Sequence, residues 1–355
     1  MELRALTLGD WVDDPKTGER TSQYNRFQHI LSLGERAEAL GFDGFHIGEH
    51  HFCDYIVSNP VPLLSAIAAK TERIKLSTGV ALLANRDPVL VAEDYAALDL
   101  ISGGRMELCV GRGNAFLECY RQMGQDVGAS QGAFEQNLDL LLRIWSGAPV
   151  TSDGGTRPPL DEAKVQPLPH KDPSRMRPAI WVGAGSGEAS VRAVADRKLD
   201  LQLPGVFAAA PAFAELAKLY RELHPEGRIG FTAHVYLDDD GARAKADWAP
   251  YHIAYLNWVN GIIVGGSNGL IPERPAPTPE RAYLHPEKSP ALCGSPSEVA
   301  DRILAWNEVL GGLDVLLLKF DGGALPDEAV ERSMTLAAGP MRDALRAALT
   351  PAAAE

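Results

Sequence analysis

The residues best equipped for chemistry stand in GFHIGEHHF, Gly44 to Phe52, where an alternating apolar run ends in a carboxylate and two imidazoles. A neutral imidazole near pH 7 can take and return a proton. His50 is therefore suited to act as a general base or to donate a hydrogen bond to a developing anion, with Glu49 and His51 as its supports. The competing use of these side chains is a metal site formed by His46, His50 and His51. His46 and His50 have a spacing that chelates on a helix, but Gly48 and the alternation before it read as a strand. HExxH is absent, as is an HxH on the first strand, and no metal is assigned.

Two further groupings could hold an anion. In Gly111-Arg112-Gly113-Asn114 an arginine sits in a small-residue turn after a candidate strand. Such an arginine can clamp a phosphate bidentately while the glycines let the backbone approach; a surface salt bridge is its plainer use. In WVGAGSG, Trp181 to Gly187, a strand runs into a helix through Ala184, Gly185 and Ser186. A helix start of this kind offers unpaired N–H groups to an anion. Any βα turn needs small residues, so this signal gains weight only beside Arg112, as the second half of one phosphate site.

These groups can meet only if the elements carrying them lie side by side. Short strand-type runs alternate with longer helical patterns along the whole chain, as in repeated βα units around a parallel sheet. Candidate strands are 3–8, 44–48, 74–80, 105–110, 179–183, 199–203, 229–236 and 313–319; candidate helices are 24–40, 60–69, 88–101, 131–145, 187–197, 211–223, 241–259 and 296–310. Asn59-Pro60, Asp87-Pro88 and Ser295-Pro296 each place a capping side chain before a proline at a helix start. Eight of each element predict a (β/α)8 TIM barrel with insertion loops at the C-terminal face of the strands, with an open doubly wound sheet as the alternative. Residues 149–177 read as an excursion. Residues 260–290 read as a long loop, either a lid or a disordered segment.

With 355 residues, 45% of them hydrophobic, one barrel domain over 1–350 is expected, followed by a frayed tail at 351–355. The net charge of −13 disfavours nucleic acid and anionic lipid as partners. Cys53, Cys109, Cys119 and Cys293 form no CxxC pair, which fits a reducing compartment better than a disulfide framework. No leader pattern or membrane-length apolar run is present, so a cytoplasmic location is expected.

The three groupings also carry a resemblance. GEHHF at 48–52, STGVALLANRDPVLVAEDYAALDLISGGRMELCVGRGN at 77–114 and WVGAGSGEAS at 181–190, with GSPSEVADRI at 294–303, make the chain similar to the bacterial luciferase-like, FMN-dependent monooxygenases over nearly its whole length. That resemblance implies His50 as the catalytic histidine with Glu49 and His51 beside it. It implies Arg112, Gly113 and Asn114 at the FMN phosphate, Glu93 as a carboxylate of the flavin pocket, and a non-prolyl cis bond at Gly79-Val80 under the ring. It departs from the luciferases themselves at Gly111, where they commonly carry a cysteine, and at Ala184-Gly185-Ser186, which disfavours light emission.

The implied activity is oxidation of a small organic substrate by oxygen and reduced FMN, through a C4a-(hydro)peroxyflavin, with the flavin supplied by a separate reductase. A homodimer built on residues 60–69 and 89–100 is implied as well. Rival readings are a deazaflavin-dependent dehydrogenase on the same barrel, a metal-dependent barrel hydrolase, and a non-catalytic flavin-binding protein. Phe116, Tyr255 and Trp258 are candidates for the wall of an apolar substrate pocket.

Overall fold

The computed structural model describes residues 1–170, 177–272, 278 and 289–350. Its strands are β1 (Glu2–Thr7), β2 (Gly44–Ile47), β3 (Lys75–Thr78), β4 (Ala81–Leu82), β5 (Leu108–Gly111), β6 (Val150–Ser152), β7 (Leu160–Ala163), β8 (Ile180–Gly183), β9 (Asp200–Leu203), β10 (Ile229–Leu237), β11 (Ala291–Gly294) and β12 (Val315–Lys319). The helices are α1 (Gln23–Ala39), α2 (Pro60–Ala68), α3 (Pro88–Ile101), α4 (Leu117–Gln122), α5 (Ser130–Trp145), α6 (Glu188–Asp196), α7 (Ala214–Leu223), α8 (Gly241–Gly266), α9 (Pro296–Val309), α10 (Asp327–Leu336) and α11 (Arg342–Leu349).

The strands run parallel in the order β3-β2-β1-β12-β10-β9-β8-β5-β4, with β11 added beside the end of β10. The ends of this series meet. Leu76 donates its N–H to the Arg105 carbonyl at 3.1 Å, and the Glu107 N–H donates to the Leu76 carbonyl at 2.9 Å. Because β3 and β4 are two halves of one stave, interrupted at Gly79-Val80, the barrel has eight staves. The strand ends are thereby fixed around one mouth.

The local signals read in the sequence operate as expected. Asn59 and Asp87 accept hydrogen bonds from Val61 and Val89 N–H groups at 3.1 and 2.8 Å. Ser295 and Glu298 form a reciprocal capping box at the start of α9. At the strand N-termini the barrel interior is closed by Arg4, fully buried, which donates to Glu107 at 2.6 Å while the Trp181 indole donates to the same carboxylate at 2.7 Å. With the bottom plugged by charge and indole, open space is left for the C-terminal mouth.

Three expectations need correction. The helix expected to stop at residue 259 continues to Gly266, so 260–266 are not loop; residues 273–277 and 279–288 of that stretch lie outside the described residues, as does the tail. Gly266 reads as a breaker, yet a side-chain carbon on it would stand 3.0 Å from the Glu118 Cβ, so here glycine allows α8 to approach α4. The excursion at 149–177 contains the antiparallel β6/β7 hairpin. It rests on the helical layer through Gln136 to the Gly154 carbonyl (2.6 Å) and Arg157 to Asp87 (3.1 Å), rather than forming a loop of the mouth. Finally, β11 and the terminal α10 and α11 were not read at all. Proline-rich text before Ala291 hid β11, and the barrel's last helix follows β12 instead of preceding it.

Candidate active site

A cavity of about 960 Å³ opens at the C-terminal mouth of the strands. Glu49, His50, His51, Gly79, Val80, Arg112, Gly113, Asn114, Ala184, Gly185 and Ser186, all expected in the site, line it. Glu93 does not: it lies half-buried on α3, outside that lining. Residues 73 positions apart in sequence, such as Arg112 and Gly185, meet because β5 and β8 are paired neighbours.

His50 follows β2 directly. Its ring stacks on Tyr55 at 4.1 Å and meets the edge of Phe116 at 4.8 Å. Burial, reinforced by the charges of His51 and Lys319, pushes its pKa down to about 3, so the imidazole is neutral over the physiological range. Its Nδ1 is shielded from solvent and has no hydrogen-bond partner among the described residues. A shielded, unpaired ring nitrogen is costly unless something else meets it.

Glu49 has a different task. It is 1% exposed, accepts from His51 Nε2 at 3.0 Å and faces Arg86 Nη1 at 3.6 Å, with the Leu82 N–H at 3.4 Å. The carboxylate thus ties the loop after β2 to the loop after β4. His46 turns away to the Thr78 carbonyl at 2.9 Å and to Arg4. Among the described residues, no three His, Cys, Asp or Glu side chains converge as a metal would require.

Between these loops lies the break in the third stave. The Gly79-Val80 peptide is cis, as the resemblance implied. Val80 projects into a slot made by two glycines: a side-chain carbon on Gly111 would stand 2.6 Å from Val80 Cγ2, and one on Gly183 would stand 3.3 Å from Cγ1. The result is a smooth wall of small residues across three staves, suited to a flat ring.

Across the mouth, Arg112 donates to Ser186 Oγ at 3.3 Å and has no carboxylate partner among the described residues. Its backbone carbonyl accepts from the Tyr120 hydroxyl, which fixes the turn. Gly187 caps α6 without a side chain, so the N–H groups of that helix's first turn are left to an external acceptor. Gly113 adopts φ +70°, and Gly185 lies so close to Pro204 that a Cβ there would stand 2.6 Å away. An anion-binding concavity results.

Several residues of the site were not singled out in the sequence. Arg86, which stands behind the lining, was missed because it reaches the site only through Glu49, in a different loop. Tyr55 shares a 2.6 Å hydroxyl contact with Tyr255 from α8. His234, near the end of β10, also lines the cavity, and a strand-end histidine was the available signal. Of the three aromatic candidates, Phe116 and Tyr255 line the cavity, whereas Trp258 packs behind it on Tyr55 at 4.6 Å.

The family profile described as luciferase-like monooxygenase matches residues 9–312. The chain belongs to the luciferase-like monooxygenase family. Among curated members, it is 27% identical over 242 residues to N-acetyl-S-alkylcysteine monooxygenase of Bacillus subtilis (67% of this chain, 65% of that one). It is 24% identical over 176 residues to the oxygenase component of the flavin-dependent trigonelline monooxygenase of Acinetobacter baylyi (49% and 48%). The chain spans about half the length of the curated relatives it matches.

The fold is shared with several solved structures. Monooxygenase RslO1 from Streptomyces bottropensis superposes with a TM-score of 0.81 at 24% identity, covering 97% of this chain and 99% of that one. The oxygenating constituent of 3,6-diketocamphane monooxygenase from Pseudomonas putida, solved with FMN, gives 0.76 at 20% identity (97% and 98%). The coenzyme F420-dependent tetrahydromethanopterin reductase of Methanopyrus kandleri gives 0.69 at 18% (96% and 98%).

Proposed function

We propose that this luciferase-like protein is an FMN-dependent monooxygenase that takes reduced FMN from a separate reductase and uses it with oxygen to oxidise a small organic molecule. The observation that carries this reading is that, among the described residues, the shielded Nδ1 of His50 is unpaired in the same cavity as an arginine lacking a carboxylate partner and a glycine-lined wall. Those features fit FMN: an anion clamp, a surface for a flat ring and a polar group facing it. The name of the trigonelline relative, an oxygenase component, supports a two-component arrangement.

In this reading Arg112, Ser186 and the first-turn amides of α6 hold the phosphate, and Val80 with its flanking glycines supports the ring. Bound reduced FMN would supply the two electrons and two protons with which oxygen delivers one atom to substrate and leaves the other as water. His50, neutral and fixed between Tyr55 and Phe116, can donate or accept a hydrogen bond at Nδ1, according to its tautomer, without itself carrying charge. The apolar surroundings exclude bulk water, which protects short-lived oxygen adducts from decay. Glu49 and Arg86 position the His50 loop.

The homodimer is proposed on the exposed Leu90, Leu100 and Ile101 of α3. The rival cofactor is a deazaflavin, favoured by the likeness of the barrel to an F420-dependent enzyme. The two separate in one experiment: oxygen uptake by the chain supplied with photoreduced FMN, compared with the same chain supplied with reduced deazaflavin. Substrate-stimulated uptake with reduced FMN alone is expected; hydride exchange with deazaflavin and no oxygen uptake would overturn the reading.

A further inference from the structure

Part of the cavity lining is not used by the flavin reading, and its chemistry is different. Leu6, Leu8, Leu256, Val259 and Leu317 line the cavity and belong to one apolar cluster with Val80 and Phe116. Two charged groups near it, among the described residues, are engaged. Lys319, 1% exposed at its side chain, is bound by Asp10 at 2.8 Å and Asp321 at 3.5 Å, and Glu49 is held by His51 and Arg86.

One polar side chain in this region is turned to the cavity with a ring nitrogen to spare. His234 is 5% exposed, and its Nδ1 meets His252 Nε2 at 3.1 Å; its Nε2 has no protein partner among the described residues. His252 is itself locked, lying flat on Trp248 with centroids 4.0 Å apart and planes 1° from parallel. The edge of the Tyr255 ring, 5.2 Å away, holds the other side of His234. Orientation of this imidazole is therefore set by three side chains before any ligand arrives. Burial and the nearby His252 and Lys319 push His234 well below the usual histidine range, so it offers a hydrogen bond and not a charge.

We infer that His234, backed by His252, anchors an uncharged oxygen substituent of the substrate, a carbonyl or a hydroxyl, in the apolar part of the cavity. The substrates of this enzyme are then neutral, mainly hydrocarbon molecules, and carboxylates are refused. This inference rests on the proposal that flavin is held at Arg112. When His234 Nδ1 accepts from His252, Nε2 carries the hydrogen and suits a carbonyl; when Nδ1 donates, Nε2 accepts and suits a hydroxyl. A carboxylate at the same place would lose its hydration and, among the described residues around His234, find no unpaired cation.

The test is calorimetric binding to the full chain, with and without oxidised FMN, of cyclooctanone, cyclooctanol, cyclooctane and cyclooctanecarboxylate, together with linear 2-octanone and octanoate. The ketone or alcohol is expected to bind about 10-fold more tightly than the hydrocarbon, the gain of one well-made buried hydrogen bond, and, where FMN occupies Arg112, the carboxylates at least that much more weakly than the ketones. His234→Ala should erase the advantage of the oxygenated ligands and leave the hydrocarbon unchanged; His234→Gln should restore part of it.

Failure of all six ligands to bind, carboxylates binding as well as ketones, or a His234→Ala loss shared equally by the hydrocarbon would each overturn the inference. FMN binding is read in the same titrations. Loss of FMN binding with the His234 pattern intact would sink the flavin reading alone, and the opposite pattern would sink only this one.

Discussion

Val80 occupies the space that a side chain on Gly111 would need: Val80 Cγ2 lies 2.6 Å from the position of a Cβ there. The residue beside the Arg112 turn is therefore glycine for a steric reason, and the wall of the cavity depends on it. Gly111→Ala is expected to cost about 1–3 kcal/mol of stability through overpacking and to weaken FMN binding by displacing Val80. Val80→Ala in the same chain should recover most of the loss, so a double-mutant cycle on urea midpoints and FMN affinity checks the relationship. Additive effects would mean that the two residues do not compete for space.

Arg112 and Ser186 are assigned to a phosphate, and this assignment predicts selectivity among flavins. Arg112→Ala should weaken FMN binding by about 10- to 100-fold, the usual worth of a charge-assisted hydrogen bond, and leave riboflavin binding nearly unchanged. Flavin fluorescence titration distinguishes this from general damage to the cavity, which would weaken both ligands alike.

Glu49 is the buried partner of both Arg86 and His51, and its removal leaves Arg86 with Asp94, at 2.8 Å, as its remaining carboxylate. Glu49→Ala is expected to destabilise the fold by about 1–3 kcal/mol, read from denaturant midpoints. His51→Ala, which leaves the Arg86 contact in place, should cost far less. Equal losses would contradict the assignment of Glu49 as the tie between the two loops.

Acid sensitivity follows from the buried imidazoles. His46, His50 and His252 are each pushed down to about 3, chiefly by burial. Between the ordinary value of 6.5 and about 3, the unfolded chain binds protons that the folded chain refuses, so stability falls as pH falls through that window, by up to about 1.4 kcal/mol per pH unit for each imidazole. Glu107 adds to the loss only lower down: although burial pushes it up, Arg4 holds it at about 2, and its contribution disappears as pH drops from 4.5 toward that value. Urea midpoints should therefore decline already between pH 6.5 and 5. A flat profile to pH 5 would show that these rings accept protons in the folded state.

How much of this could be read in the sequence depended on whether a residue's signal was local. His50, Arg112 and Ser186 stand at strand ends beside glycines, and strand periodicity alone places such positions at the mouth of a barrel. Proline and capping side chains marked the helix starts for the same reason. Arg86 carries no local mark, because its partner Glu49 lies on another stave, and pairing across staves is set by barrel closure. The extension of α8 to Gly266 was hidden by glycines that read as breakers, of which Gly266 serves close packing against α4. Glu93 shows the reverse case: the resemblance implied a place in the flavin pocket, whereas the half-buried side chain lies on α3 outside the cavity lining.

The central claim is that this cavity binds reduced FMN and governs its reaction with oxygen, with His50 facing the reacting ring. The most direct measurement mixes the anaerobic chain carrying reduced FMN with oxygenated buffer in a stopped-flow spectrometer, in wild type and in His50→Ala. The account predicts that wild-type flavin reoxidises in two resolved phases, through a transient spectrum that is neither reduced nor oxidised FMN, and that the transient is shortened or lost in the variant. Reoxidation indistinguishable from that of free FMN, or a transient unaffected by His50→Ala, would contradict it.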